Sequence, residues 1–132
     1  MQLAAEEEGL DSKWLPDVIS TVRRVLESGL WRRSRKAKQV YHEFSFMSMR
    51  EATPESSLCL LKGAIDLVFE EEDGWVIVDF KTDMFEAKHL DRFVYYYAPQ
   101  VQAYTEQWTR AFQLPVKETG LYFTFSESYV RV

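Results

Sequence analysis

Two kinds of hydrophobic spacing follow one another along the chain, and they predict helices and strands in turn. Apolar residues recur every three or four positions from Leu15 to Leu26, which indicates an amphipathic helix. Asp11 or Ser12 would cap the start of this helix, and Gly29 would end it. The helix therefore presents one apolar stripe to a core formed by later segments.

A short basic segment over residues 30–38 is also expected to be helical, and from Val40 onward the spacing changes to two. On that spacing Val40, His42, Phe44, Phe46 and Ser48 would share one face of a first strand. A second strand is predicted over 57–69 and a third over 75–81. Asp-Gly at 73–74 between them is typical of a hairpin turn, so these strands should pair antiparallel.

A long helix is predicted over 90–112, and Pro99 lies inside it. The helix would either begin just before Pro99 or be kinked there. Strands over 121–125 and 129–132 complete the pattern. The order of helix, three strands, helix and strand predicts an α/β (α+β) fold with a mixed sheet flanked by helices.

Length and charge narrow the class of protein. The chain has 132 residues and 46% hydrophobic residues, which suits one compact domain with a core. Its net charge of −5 weakens a nucleic-acid hypothesis without excluding it. Basic residues cluster in one segment, which is either a solvated helix face or a set of phosphate contacts. The candidates in that cluster are Arg32, Arg33, Arg35 and Lys36.

Other features of the sequence bear on where in the cell the protein is expected to be found. The N-terminus lacks the pattern of a signal peptide, and no apolar run approaches the length of a membrane span. Cys59 is the single cysteine, so no internal disulfide forms and a reducing cytoplasmic setting is expected, with no membrane partner. A glycine-rich ATP-binding loop is missing from the sequence.

Three residues of the predicted hairpin carry candidate chemistry. Asp66 and Asp79 each lie in an apolar strand, where a carboxylate is costly unless it is paired or bound to a metal. Lys81 follows Asp79 by two residues and shares its face. The hairpin would bring all three together, and hard oxygen ligands suit Mg²⁺ or Mn²⁺. The alternative is an Asp79–Lys81 ion pair that only stabilises the hairpin.

Three motifs occur in a fixed order: Gly-x-Ile-Asp ending at Asp66, Asp-x-Lys-Thr starting at Asp79, and Gln-x-x-x-Tyr from Gln100 to Tyr104. Together they resemble the nuclease domain of the RecB/AddA helicase–nucleases of the PD-(D/E)XK superfamily. The resemblance covers residues 40–125. It implies a restriction-endonuclease-like fold, with an N-terminal helical segment over 1–39 and a nuclease core over 40–132.

The resemblance also implies roles for individual residues. The carboxylates of Asp66 and Asp79 and the backbone carbonyl of Phe80 would hold Mg²⁺ or Mn²⁺. Lys81 would orient the attacking water and offset charge at the phosphate. Supporting or DNA-contacting roles would fall to Gln100 and Tyr104, and with less support to Glu43.

The implied activity is that of a Mg²⁺-dependent deoxyribonuclease, an exonuclease within a bacterial helicase–nuclease that processes double-strand breaks for recombinational repair. Its partners would be DNA, the helicase region of the parent chain and a partner subunit. Relatives usually supply a histidine ligand from an upstream helix, and neither His42 nor His89 matches that position. The chain is therefore expected to be a C-terminal piece of a larger protein, with weak or no nuclease activity in isolation. A non-catalytic descendant that binds DNA or partner subunits is the alternative.

Overall fold

The computed structural model describes residues 15–51 and 58–132. Within these ranges three α-helices and five strands are present. We number them α1 (Leu15–Leu26), α2 (Gly29–Arg35), β1 (Gln39–Glu51), β2 (Leu58–Glu71), β3 (Gly74–Lys81), α3 (Leu90–Phe112), β4 (Val116–Phe123) and β5 (Ser128–Arg131). A 3₁₀ turn over Ala87–His89 leads into α3. None of the helices in the described part of the chain is long and apolar enough to cross a membrane.

The strands form one mixed sheet in the order β1-β2-β3-β4-β5. Neighbouring strands are antiparallel except β3 and β4, which are parallel because α3 carries the chain back across the sheet between them. The predicted mixed sheet with flanking helices is therefore confirmed.

Each face of the sheet has its own hydrophobic core. On one face Trp75 and Ile77 of β3 pack with residues of α3. On the other face Val76 and Val78 pack with α2 and the end of α1. β3 is thus covered on both sides, which explains why its sequence is an almost unbroken apolar run rather than an alternating one.

The start of α2 differs from the sequence prediction. Gly29 does not end α1; it is the first residue of α2. The side chain of Ser28 accepts a hydrogen bond from Trp31 N at 3.2 Å, so a serine N-cap decides the boundary. The predicted caps of α1, Asp11 and Ser12, lie outside the described residues.

Pro99 does not set the start of α3. The helix runs from Leu90 to Phe112 with Pro99 inside it, so the alternative of a helix that begins just before Pro99 is wrong. Proline lacks the N–H that would bond the carbonyl four residues earlier, and only that one helical bond is lost. Gln113, with φ 54°, ends the helix in the left-handed conformation.

The β2–β3 hairpin turns within the run from Glu71 to Gly74, where the composition of the sequence predicts it. Glu71 pairs with Gly74, so Glu72 and Asp73 form the two-residue turn. Gly74 has φ 150°, a conformation that side-chain-bearing residues rarely adopt, and this explains the glycine after the turn. The strand pairing predicted from the Asp-Gly signal still forms.

β1 does not keep one face along its length, because Glu43 has φ 52° and its pairing with β2 is interrupted there. His42 stacks on Trp31 of α2, with 5.2 Å between ring centroids. Phe44 instead packs edge-on against Trp108 of α3 at 5.3 Å. The expectation that His42 and Phe44 share a face is therefore wrong.

The same break affects β2, the partner strand. Ile65 belongs to the core on the α3 side, whereas Leu67, two residues later, belongs to the opposite core. Regular alternation would place both on one face. The strand thus changes phase around Asp66, the residue that the ladder would place opposite Glu43.

Candidate active site

The hairpin brings the two strand aspartates together. The ladder between β2 and β3 ends at the pair Leu67 and Val78, and Asp66 and Asp79 are the residues next to that pair on each strand. The backbone N–H of Phe80 donates to Asp66 Oδ2 at 2.8 Å. Asp79 is close enough to raise the pKa of the Asp66 carboxyl. Two acidic side chains therefore meet at one point.

The pairing of the two acids changes how Asp66 ionises. The pKa of Asp66 is raised to about 6, and burial is the largest cause. The neighbouring Asp79 contributes to the same rise, whereas the N–H of Phe80 works in the opposite direction. Two adjacent carboxylates resist joint ionisation unless a proton or a cation lies between them. The geometry therefore favours a bound cation at neutral pH.

Lys81 is held in place by three neighbours. Its Nζ lies 2.7 Å from Asp79 Oδ2 and donates to Gln100 Oε1 at 2.8 Å. The same atom lies 4.2 Å from the centre of the Tyr97 ring, which gives a cation–π contact. The ammonium group is thus fixed beside the acids by side chains of α3.

Gln100 connects Lys81 to the next turn of α3. Its Oε1 accepts from Lys81, and its Nε2 donates to the hydroxyl of Tyr104 at 3.0 Å. Tyr104 packs edge-on against Phe46 of β1, with 5.6 Å between ring centroids. The side chains of the Gln-x-x-x-Tyr motif therefore form one chain of contacts that ends at the Lys81 ammonium.

The acid pair has the character of a divalent-metal site with few protein ligands. Asp79 is 5% exposed, and its Oδ2 accepts no well-aligned hydrogen bond from the described residues, although the Lys81 charge is close. The Lys81 ammonium is therefore the cation beside Asp79, and Asp66 is the second carboxyl, which forms no ion pair with the described residues. Within 15–51 and 58–132, no group of three or more acidic, histidine or cysteine side chains could hold a metal. Two carboxylates fit Mg²⁺, which keeps several of its waters.

Glu43 does not join the pair, since its side chain is exposed and belongs to no metal-holding group in the described residues. Glu43 has a positive φ, and it lies on β1 where the ladder would place it opposite Asp66. Glu43 therefore shapes the backbone at the site. The contact seen at Phe80 involves its N–H, and the role of its carbonyl as a ligand stays a prediction.

Tyr97 is a site residue, although the spacing of aromatic residues along the helix predicts only core packing for it. Besides carrying the Lys81 ammonium on its ring, it donates from its hydroxyl to Asp83 Oδ1 at 3.0 Å. The signal in the sequence is its position three residues before Gln100, which places both side chains on one face of α3.

The basic segment lies on the other side of the sheet, because α2 packs in the core opposite α3. Arg33 is held by two acidic residues. Its guanidinium binds Glu71 with donor–acceptor distances of 3.1 and 2.7 Å and Glu118 with distances of 2.9 and 3.2 Å. The two carboxylates therefore bind both edges of the guanidinium, which gives Arg33 a structural role, and its phosphate contact stays a prediction. The neighbouring Arg32, Arg35 and Lys36 are exposed.

Comparison with known proteins gives the class of protein to which this chain belongs. The family model of the PD-(D/E)XK nuclease superfamily matches residues 1–132, so the chain belongs to that superfamily. This agrees with the resemblance seen in the sequence, and it makes the chain a nuclease-family domain.

The relatives are named more narrowly, as one subunit of an ATP-dependent helicase/nuclease. The chain is 36% identical over 118 residues to this helicase/nuclease protein of Carboxydothermus hydrogenoformans, covering 84% of this chain and 10% of that protein. The protein of the same name from Heliobacterium modesticaldum is 44% identical over 69 residues, covering 47% of this chain and 5% of that protein. A third protein of that name, from Bacillus cereus, is 32% identical over 129 residues, covering 86% of this chain and 10% of that protein. The chain thus spans about a tenth of the length of most of these relatives.

Proposed function

We propose that this domain hydrolyses phosphodiester bonds of DNA with the help of a bound divalent cation. The observation that carries the proposal is the meeting of Asp66 and Asp79 beside a fixed ammonium group. A structural ion pair accounts for Asp79 and Lys81 but gives no reason for a second carboxyl at the same point. A metal-assisted hydrolase accounts for all three groups.

Asp66 and Asp79 would hold the cation, Mg²⁺ or Mn²⁺, with the carbonyl of Phe80 as a proposed third ligand. When bound, such an ion withdraws charge from the phosphate and lowers the pKa of a coordinated water. Asp66 Oδ2 accepts a hydrogen bond from the N–H of Phe80, which holds this carboxyl in place. Asp79 is buried and Asp66 is half-buried, so the site is partly shielded from bulk water.

Lys81 supplies the second part of the proposed chemistry. Its ammonium would orient the attacking water and stabilise negative charge that develops on the phosphate oxygens. Gln100 and Tyr97 hold Nζ at a fixed place, so little reorganisation is needed when a phosphate arrives. These two residues, with Tyr104 behind Gln100, are positioning residues for Lys81.

The wider function is proposed from the relatives' names. We infer that the domain works within an ATP-dependent helicase/nuclease in a bacterial cytoplasm, with DNA as substrate, a helicase region and a partner subunit, in double-strand break repair by recombination. Exonuclease action belongs to the same proposal. Arg32, Arg35 and Lys36, on the opposite layer from Lys81, are proposed as DNA backbone contacts away from the reacting phosphate, and a phosphate contact of Arg33 stays a prediction beside its structural role.

A cation should stabilise the folded domain measurably. At a Mn²⁺ concentration a hundred times its Kd, we expect about 2.7 kcal/mol of added stability, which is a rise in Tm on the order of 10 °C. The shift should shrink below pH 6, because a proton then occupies Asp66, whose pKa is about 6. The measurement is thermal unfolding at pH 7.5 and pH 5, with and without Mn²⁺.

Asp79→Asn should abolish this shift, and Asp91→Asn, an exposed position in the first turn of α3, should leave it intact. Without metal, the stability of the fold changes with pH in the opposite direction. The raised pKa of Asp66 makes the apo fold more stable as pH falls from about 6 toward the ordinary value of 3.8. A Mn²⁺ shift that persists in Asp79→Asn would contradict the proposed site.

A further inference from the structure

Asp83 lies two residues beyond Lys81 in the segment that follows β3, and the proposed metal ligands do not include it. Its Oδ1 accepts a hydrogen bond from the hydroxyl of Tyr97 at 3.0 Å. The ring of the same Tyr97 carries the Lys81 ammonium, with 4.2 Å between Nζ and the ring centre. Asp83 is therefore connected to the proposed reacting groups through one aromatic ring, although none of the three sequence motifs contains it.

The backbone of Lys81 is fixed by β4 and does not depend on Asp83. The backbone N–H of Thr124 donates to the Lys81 carbonyl at 2.9 Å, and the Thr124 hydroxyl donates to the same carbonyl at 3.3 Å. Lys81 also pairs with Phe123 in the parallel ladder between β3 and β4. A change at Asp83 therefore leaves the root of the lysine side chain in place, and its effect falls on the ammonium end.

The ammonium end of Lys81 needs supports besides Asp79. A lysine stem is flexible, and Asp79 Oδ2 attracts Nζ from a distance of 2.7 Å. The Tyr97 ring and the Gln100 amide hold Nζ from the side of α3. The attraction of Asp79 weakens when its charge is shared with a metal, because a second cation competes for the same carboxylate. The supports on α3 then decide where the ammonium lies.

The hydrogen bond to Asp83 strengthens the support that Tyr97 gives. A tyrosine ring turns about two side-chain bonds, and a hydrogen bond at its outer end restricts both rotations. A hydroxyl that donates to a carboxylate is also polarised, which makes the ring more attractive to a cation. The neighbouring Tyr96 packs edge-on against Tyr97 but is 75% exposed, so it restrains the ring only weakly. Asp83 is therefore the polar anchor of this ring.

We propose that Asp83 is a positioning residue for Lys81 and acts through the hydroxyl and the ring of Tyr97. The proposal rests on the proposed nuclease function and deepens it, because it adds an acid that holds no metal and touches no reacting atom. The three acids of this region then have two roles. Asp66 and Asp79 hold the cation, and Asp83 holds the residue that carries the ammonium.

The first test reads the position of the Lys81 ammonium without metal or DNA. Protons on the carbon next to Nζ lie near the face of the Tyr97 ring, so the ring current moves their NMR signal upfield of the signal of the exposed Lys62. The full chain is prepared with isotope-labelled lysine, and each signal is identified by its loss in Lys81→Arg or Lys62→Arg. Asp83→Ala should move the Lys81 signal toward that of Lys62. Asp83→Asn, which keeps an acceptor for the hydroxyl, should restore most of the upfield shift.

The second test follows hydrolysis of labelled single-stranded DNA with Mn²⁺. Asp83→Ala should lower kcat by about five- to tenfold with KM unchanged, since one hydrogen bond that places a stabilising charge is lost. Tyr97→Phe keeps the ring but loses the hydroxyl, so it should match Asp83→Ala. The double variant should be no slower than either single variant, because both break the same contact. In a chain that already carries Lys81→Ala, Asp83→Ala should have no further effect.

Glu86→Gln is the matched control, because Glu86 is an exposed acid of the same segment and pairs with Lys88 at 3.1 Å. It should change neither the Lys81 signal nor kcat. If Asp83→Ala does not fold, Tyr97→Phe replaces it, since it breaks the same hydrogen bond.

Three results would overturn the role of Asp83. In an active chain these are an unchanged Lys81 signal or kcat in Asp83→Ala, an equal change in Glu86→Gln, and a further loss when Asp83→Ala is added to Lys81→Ala. A failure of the nuclease proposal looks different. If the Lys81 signal responds to Asp83 as expected in a chain that never hydrolyses DNA, the nuclease proposal alone is contradicted.

Discussion

Lys81→Ala is expected to lower the rate of DNA hydrolysis by about 100-fold or more, the usual loss when one fixed charge-stabilising donor is removed. The Lys81 ammonium is the one cation in contact with the acid pair among the described residues, and three neighbours fix it. The isolated domain is expected to turn over slowly. The assay therefore follows end-labelled single strands over hours with excess enzyme and Mn²⁺, and compares rates rather than end points.

Lys62→Ala, an exposed lysine of β2, is the control and should keep the rate of the unchanged chain. Lysine is not among the proposed metal ligands, so Lys81→Ala should retain the rise in Tm that Mn²⁺ gives, whereas Asp79→Asn should lose both the rise and the hydrolysis. If Lys81→Ala hydrolyses DNA at the normal rate, the activity comes from elsewhere. If the unchanged chain gains stability from Mn²⁺ yet never hydrolyses DNA, the non-catalytic alternative is correct.

Arg33→Ala is expected to lower the free energy of unfolding by about 3 kcal/mol, the lower end for a broken buried ion pair. The lower end applies because the Arg33 side chain is 30% exposed. The substitution leaves Glu118, whose side chain is only 7% exposed, without its closest cation. Tyr129 still donates to Glu118 at 2.6 Å, and the exposed Arg131 lies 3.3 Å from it, so the loss stays at the lower end of the range. The measurement is urea unfolding at pH 7, with Arg35→Ala on the same helix as the exposed control.

The pH dependence gives a second readout of the same cluster. Hydrogen bonds from Arg33 lower the pKa of Glu71 to about 2, and Arg33 also holds the pKa of Glu118 below its usual range. A depressed acid pKa contributes stability above the unfolded value of about 4.5, and that stability is lost as pH falls toward 2. Arg33→Ala should reduce this loss of stability at low pH. If the loss is unchanged, Arg33 does not stabilise the packing of α2 on the sheet.

The arrangement of strands around the acids was accessible from the sequence because local rules govern it. Two-residue periodicity and an Asp-Gly turn predict the β2–β3 hairpin, and Asp66 and Asp79 lie next to the last pair of its ladder. The span 90–112 predicted for α3 agrees with the structure, although Pro99 left the start of the helix open. Each of these features depends on residues close together in the chain.

The features that the sequence does not predict depend on partners far away in the chain. The basic run that contains Arg33 looks uniform, and only the fold brings Glu71 and Glu118 to this one member. The phase change around Asp66 arises from the left-handed backbone of Glu43, which no hydrophobic pattern announces for a glutamate. The cation–π contact of Tyr97 likewise needs α3 to lie across β3.

The two acids and Lys81 belong to one hairpin, while Gln100, Tyr97 and Tyr104 belong to a helix that crosses back over it. The groups that would bind a cation and the groups that hold Lys81 in place therefore belong to different elements. A local opening that lifts α3 from the sheet would leave the cation ligands assembled but release the ammonium from its supports. The proposed cation ligands would thus depend on the hairpin alone, and the position of the ammonium on the hairpin and α3 together.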